Sequence, residues 1–188
     1  MPENGRFERI KETLKRAAAA LRDADVPFML GGGLAVWAHG GPATDNDLDL
    51  MVEPKDADRA LEALERAGMR PEKPPEGWLY KAWDNDVMVD LIFEPTGTQV
   101  DDELFARATE LEVNAVSMLV MSLEDVLITK LRTLDEHTLD YEPLLLIARA
   151  LRERIDWPLV RREVGDSPYA KGFLTLIEEL GIVANGTS

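Results

Sequence analysis

The sequence contains no cysteine and only two histidines among its 188 residues. Disulfide bonds, thiol catalysis and cysteine-ligated zinc are therefore excluded, and one chain cannot supply a metal site built from several histidines. No apolar run approaches the roughly 18 residues that a membrane-spanning helix needs, and the opening segment MPENGRFERIKETLKR lacks the apolar core of a signal peptide. We therefore expect a cytoplasmic protein with no membrane partner.

Positive charge is also scarce, because 21 lysines and arginines face 36 aspartates and glutamates, which gives a formal net charge of −15. Such an excess opposes nonspecific adhesion to nucleic acids and anionic membranes. A nucleic-acid partner would have to be bound by a local basic surface. The apolar content of 45% is ordinary for a folded globular protein, and the length suits an α/β domain with a helical appendage.

The pattern along the chain predicts an α/β half followed by a helical half. Apolar residues at spacings of three and four predict an amphipathic helix over residues 6–23. We expect an α/β domain over residues 1–121 and a helical C-terminal part over residues 122–188 packed on it. Strands are predicted at residues 26–30, 47–52, 78–83 and 87–93, the last two as a hairpin, and at 111–121, where a strand runs into a connecting stretch.

Two aspartates lie in the segment DLDLMV, which alternates as a strand. Asp47 and Asp49 share one face of that strand, with side chains about 7 Å apart at the base. Two carboxylates from one strand can share divalent cations, and Mg²⁺ prefers oxygen ligands of this kind. A strand with one solvated face explains the same pattern without a metal.

A third aspartate, Asp90, lies within VMVDLIF, the most apolar strand of the chain. An unpaired carboxylate inside a sheet costs several kcal/mol. If this strand lies beside the DLDLMV strand, Asp90 completes a carboxylate cluster that bound cations would stabilise.

The glycine-rich stretch LGGGLAVWAHG lies between a predicted strand and a predicted helix. Glycines at such a junction let a phosphate approach the free N–H groups at the start of the helix. Close packing of helix on strand is the alternative reason for glycine here.

Together these segments resemble the sequence signature of a known enzyme family. GGLAVWAHGGPATDNDLDLMV resembles the signature of polymerase-β-like nucleotidyltransferases, a glycine pair followed by Asp-x-Asp, with a third carboxylate on a later strand. The resemblance implies a small mixed sheet with helices, a nucleoside triphosphate (NTP) whose phosphates lie against the glycine turn, and two Mg²⁺ ions. The first aspartate pair would bind both ions, and the third carboxylate would help to activate the acceptor hydroxyl. The matching residues are Gly32 and Gly33, Asp47 and Asp49, and Asp90.

The helical half resembles the abortive-infection type of nucleotidyltransferase toxin, through SLEDVLITKLRTL and HTLDYEP. The resemblance implies that Lys130 contacts the nucleotide phosphates and that Asp140 assists near the active site. It further implies an antitoxin partner and the acceptor end of tRNA as substrate. From the residues alone, Lys130 would extend past an apolar stripe to water, and Asp140 would cap a helix.

The chain also departs from these families. Many relatives carry arginine and threonine ahead of the aspartate pair, where this sequence has Ala43 and Asp45, so a phosphate contact is lost. The leading prediction is a magnesium-dependent nucleotidyltransferase acting on tRNA. A small molecule or a protein hydroxyl as acceptor, and a non-catalytic nucleotide-binding module, are the alternatives. Basic residues available for RNA are Arg149, Arg152, Arg154, Arg161, Arg162 and Lys171, and aromatic residues able to stack on a base are Trp37, Trp78, Tyr80 and Trp83, none of which the sequence assigns to that role.

Overall fold

A computed structural model describes residues 3–43 and 47–184, with side chains described from Gly5 onward. Asp45, one of the two positions that depart from the family pattern, lies outside the described residues, whereas Ala43 is exposed. The helices are α1 Glu3–Asp23, α2 Gly32–Ala38, α3 Ala57–Arg66, α4 Asp102–Arg107, α5 Leu123–Arg132, α6 Glu142–Leu151, α7 Trp157–Glu163 and α8 Pro168–Glu179. The strands are β1 Met29–Leu30, β2 Leu48–Met51, β3 Arg70–Glu72, β4 Leu79–Asp84, β5 Val87–Ile92, β6 Thr109–Val113 and β7 Val116–Val120.

The seven strands form one mixed sheet in the order β3-β4-β5-β2-β1-β7-β6. Strand β2 pairs in parallel with β5 and antiparallel with β1, while β1 pairs in parallel with β7. This architecture confirms the predicted α/β fold with a mixed sheet and a helical C-terminal part.

One face of the central strands is fully apolar. Leu48 and Leu50 of β2, and Val89 and Leu91 of β5, are completely buried. Because side chains alternate along a strand, the residues between them point to the opposite face. The aspartate of each strand therefore lies on that second face.

Helices from both halves of the chain complete the same hydrophobic core. Helix α1 contributes its apolar stripe, including Leu14, and α5 contributes Leu127, while α8 contributes Phe173, all fully buried. Helix α2 contacts both β2 and α5. The division at residues 121 and 122 stays a prediction, since the core residues of the two segments belong to one cluster.

One turn differs from the predicted pattern. Residues 111–121 were expected as a strand and a connection, but β6 and β7 form a hairpin whose turn residues, Asn114 and Ala115, both have positive φ. Two successive positive φ angles suit the two-residue turn that matches strand twist. Alanine seldom adopts this conformation, so the sequence did not mark a turn.

Candidate active site

A row of charged side chains crosses four strands of the sheet. In-register pairing places Asp49 beside Asp90, Asp90 beside Lys81, and Lys81 beside Glu72. Asp47 immediately precedes β2, two residues before Asp49 and so with the same facing. The predicted meeting of carboxylates from separate strands is therefore present in the pairing of β2 with β5.

Two of these carboxylates have basic partners. The Nζ of Lys81 lies 2.8 Å from Oδ1 of Asp90, and both side chains are largely buried. A guanidinium nitrogen of Arg6, on α1, lies 3.6 Å from Oδ1 of Asp47. Protein cations thus offset part of the negative charge at this face of the sheet.

The remaining imbalance is visible in the pKa values. The pKa of Asp49 is raised to about 6, chiefly by burial; Lys130 acts to lower it, while the charges of Asp90 and Asp47 add to the rise. Burial also raises the pKa of Asp90, against the lowering effect of its hydrogen bond with Lys81. Burial therefore disfavours the ionised form of both carboxylates, and a bound cation would offset that cost.

Gly32 packs directly against Asp49. Its φ is +57°, and a Cβ atom at this position would lie 1.7 Å from Oδ2 of Asp49. Any side chain would collide with the carboxylate, so glycine is required both for the backbone conformation and for the space. Gly33 follows as the second residue of α2, whose N–H groups begin beside this carboxylate.

A pocket of about 280 Å³ opens at Asp49. Lys130, on α5, lines it together with Gly32, so the lysine belongs to the same cleft as the central carboxylate. No carboxylate of the described residues lies within ion-pair distance of Lys130, which leaves its ammonium available for an anion. The other lining residues are Met51, Trp78, Ile92, Pro95, Thr96, Met121, Val126, Thr129 and Thr133.

The sequence matches, over residues 6–178, the protein family described as "Uncharacterised nucleotidyltransferase". The chain belongs to this nucleotidyltransferase family. The match confirms the predicted superfamily and the predicted enzyme class.

Solved structures show the same fold. The nucleotidyltransferase is similar to ANT(2″)-Ia in complex with adenylyl-2″-tobramycin, at a TM-score of 0.62 and 13% identity over 88% of this chain and 97% of that one. The solution structure of the antibiotic-resistance factor ANT(2″)-Ia matches with a TM-score of 0.60 and 15% identity over 91% of this chain and 94% of that one. A putative nucleotidyltransferase from Thermotoga maritima matches with a TM-score of 0.50 and 16% identity over 61% of this chain and 78% of that one. A comparison with curated protein sequences gives no significant match.

Asp140 is placed away from this cleft. It is exposed ahead of α6, and its Oδ1 accepts a hydrogen bond from the backbone N–H of Glu142, 3.0 Å away. It is not among the residues that line the pocket at Asp49. Asp140 lies one residue before the N-cap of α6, which is Tyr141, so its contact with the first N–H of the helix differs from the predicted N-cap. Its catalytic role stays a prediction.

The carboxylates fit a magnesium site in chemistry. Asp47, Asp49 and Asp90 offer only oxygen donors, which Mg²⁺ prefers, and the raised pKa of Asp49 marks a place where a cation would be stabilising. Among residues 3–43 and 47–184, no group of three acidic or histidine side chains is already arranged around a common metal position. Joint binding would require the outer carboxylates to turn from Arg6 and Lys81 toward the centre.

Sequence reasoning missed two supporting residues of the nucleotidyltransferase. The position of Lys81 beside Asp90 could be deduced from the hairpin. With Asn85 and Asp86 as the turn, Asp84 pairs with Val87, and the same register pairs Lys81 with Asp90. Arg132 had no local signal at all. It donates hydrogen bonds to the carbonyl groups of Gly97 and Glu163, and so ties the loop that follows β5 to α5 and α7.

Within the described residues, no helix has the length and apolar character needed to cross a membrane.

Proposed function

We propose that this enzyme transfers a nucleoside monophosphate from an NTP to an acceptor hydroxyl, with Mg²⁺ held by Asp47, Asp49 and Asp90. The observation that supports the proposal best is the in-register contact of the β2 and β5 aspartates beside the glycine turn. Lys130 faces the same cleft. Acidic, glycine and basic elements thus meet at one end of the sheet.

Each residue has a defined task in this reaction. Asp90 accepts the proton of the acceptor hydroxyl, whose oxygen forms a bond to the α-phosphorus of the NTP. The bond from that phosphorus to the bridging oxygen breaks, and pyrophosphate leaves. Lys130 binds the phosphates, and the backbone at Gly32 and Gly33 lets them approach α2. Bound Mg²⁺ supplies charge neutralisation and lowers the pKa of the attacking hydroxyl.

The acceptor that charge favours is a small polycationic molecule carrying a hydroxyl. The net charge of −15 attracts such a molecule and repels a phosphate backbone. One fold neighbour, ANT(2″)-Ia, was solved in complex with a small molecule that carries an adenylyl group, adenylyl-2″-tobramycin.

Pairing within the helical half also disfavours a basic surface for RNA. Arg161 pairs with Glu178 and Lys171 with Asp166, while Arg154 donates to the carbonyl of His39. Arg152 and Arg162 are paired with the glutamates that follow them. Most of the basic residues considered for RNA therefore already have acidic or carbonyl partners.

The acceptor end of tRNA is the second candidate. It rests on the resemblance to abortive-infection toxins, which also implies an antitoxin partner, and on the placement of Lys130 in the cleft where that resemblance needs it.

One experiment separates these acceptors. The protein is incubated with labelled NTPs and Mg²⁺ together with total tRNA, a panel of aminoglycosides and polyamino-alcohols, or a protein extract. Label on the cationic small molecules supports the first proposal, and label on tRNA supports the second. NTP binding without label in any pool would show a nucleotide-binding module and overturn the proposed transfer.

The role of Lys130 has its own test. Lys130→Gln should raise the KM for NTP about tenfold or more, because a hydrogen bond to a charged group contributes roughly 1.5–3 kcal/mol. Lys130→Arg should restore part of the loss. Lys171→Gln, at an exposed lysine paired with Asp166, is the matched control. Unchanged kinetics in Lys130→Gln would remove Lys130 from the phosphate site.

A further inference from the structure

Three of the four tryptophans are engaged by the protein itself. The ring of Trp37 packs edge-on against Phe7, with 5.1 Å between the ring centroids. The indole N–H of Trp83 donates to Glu72, and that of Trp157 donates to the carbonyl of Arg152. Each of these rings therefore has a structural reason for its position.

Trp78 differs from the other three. Among residues 3–43 and 47–184, no hydrogen bond to its indole N–H, no aromatic stacking and no cation over its ring are present. Its side chain is 40% exposed, which is unusual for the largest apolar residue of a protein.

Trp78 is nevertheless held firmly in place at the cleft. Its carbonyl accepts hydrogen bonds from the N–H groups of Phe93, at 3.2 Å, and Glu94, at 3.1 Å, at the open end of the β4–β5 hairpin. It lines the same pocket as Asp49 and Lys130. These hydrogen bonds fix the backbone of Trp78 to the hairpin, and its ring, which has no side-chain partner among the described residues, lines the candidate site.

We propose that Trp78 stacks on the nucleobase of the NTP and is a principal determinant of nucleotide affinity in this enzyme. This inference rests on the proposed nucleotidyl transfer. The pocket has separate surfaces for the two parts of an NTP. Its charged residues can bind phosphates and cations, while Met51 and Ile92 provide an apolar surface for a base. Stacking on a base needs an accessible aromatic ring, and the partly exposed ring of Trp78 in this pocket supplies one.

Of the three threonines that line the pocket, two have hydroxyl groups already engaged by the backbone, which leaves Thr96 to contact the edge of a base. The hydroxyl of Thr129 donates to the carbonyl of Asp125 at 2.8 Å, and the hydroxyl of Thr133 donates to the carbonyl of Lys130 at 2.9 Å. Both hydroxyl protons are therefore donated to carbonyl groups of α5. Because every base has a π-face, recognition by stacking accepts all four. We expect ATP, CTP, GTP and UTP to bind within about tenfold of one another.

The test is calorimetric titration of NTPs, and separately of inorganic tripolyphosphate, in the presence of Mg²⁺. Trp78→Ala should weaken each NTP by roughly tenfold or more, since stacking contributes about 1–3 kcal/mol per base. Trp78→Phe should retain binding to within a few-fold, and tripolyphosphate should bind all variants equally. Trp78→Leu provides a second non-aromatic variant of greater bulk, and Trp83→Phe, on the same hairpin, is the matched control.

The outcomes are distinct. Wild-type affinity for NTPs in both Trp78→Ala and Trp78→Leu would overturn the stacking role while leaving the proposed transfer intact. An equal loss of tripolyphosphate binding would overturn it too, because the defect would then not concern the base. A wild-type protein that binds neither NTP nor tripolyphosphate would overturn the proposed function itself.

Discussion

Replacing Asp49 with asparagine should abolish transfer and also stabilise the fold near neutral pH. Asparagine has almost the same shape, so no cavity opens, while the partly buried charge disappears. In the wild type, burial raises the pKa of Asp49 from 3.8 to about 6. The folded state therefore holds this proton more tightly than the unfolded chain does. The associated stability is fully present below about pH 4 and is lost as the pH rises through about 6.

The difference between the unfolded-state and folded-state pKa values of Asp49 sets the size of the stability change. A shift of about 2 units corresponds to roughly 3 kcal/mol between the low-pH and high-pH limits. About 2 kcal/mol of this falls between about pH 4.5 and about pH 7.5. The asparagine variant has no proton to lose at this position. Its free energy of unfolding relative to wild type should therefore rise by that amount over the interval, or about 4–8 °C in Tm for a chain of this size.

Urea denaturation of both proteins across this pH range measures the effect, and labelled-NTP turnover measures activity. Mg²⁺ should raise the Tm of the wild type more than that of Asp49→Asn, because a ligand stabilises only the state that binds it. A stability difference that does not change with pH would refute the electrostatic account of Asp49. Wild-type turnover in the variant would refute its role in metal binding.

Two further substitutions test the surroundings of this carboxylate. Gly32→Ala should abolish transfer and destabilise the fold by more than Gly181→Ala does. Both glycines have positive φ, but a Cβ at Gly32 would collide with Asp49, whereas a Cβ at Gly181 would meet nothing within 4 Å. Denaturation of both variants measures the difference, and equal losses of stability would mean that the backbone conformation alone matters. Lys81→Met should destabilise the fold by about 1–3 kcal/mol, because it leaves Asp90 partly buried without its cation. Adding Asp90→Asn should recover most of that loss, and purely additive destabilisation would contradict the pairing.

The sequence predicted the acidic face well because strand alternation is a strictly local rule. The spacing of Asp47 and Asp49 fixed their shared facing, and the apolar surroundings of Asp90 indicated that it needed a compensating partner. The β4–β5 hairpin was also visible, since two apolar runs flank a short polar turn. These features depend on neighbours within a few residues.

Other features depend on tertiary packing and could not be predicted in this way. Strand β1 has only two residues, yet it lies between β2 and β7. Arg132 binds carbonyl groups 35 and 31 residues away, so nothing near it in the chain indicates its task. The free ring of Trp78 became recognisable only once the partners of the other tryptophans were known.

The charged row from β3 to β2 links the edge of the sheet to its centre. Strands lie about 4.8 Å apart, so Glu72 is roughly 14 Å from Asp49, beyond the ~10 Å over which exposed charges interact directly at 0.1 M salt. Lys81 and Asp90 occupy the two intervening positions, in contact with one another. Neutralising Glu72 at the exposed edge strand would therefore act on the centre of the sheet through Asp90, whose pKa the charge of Glu72 helps to raise.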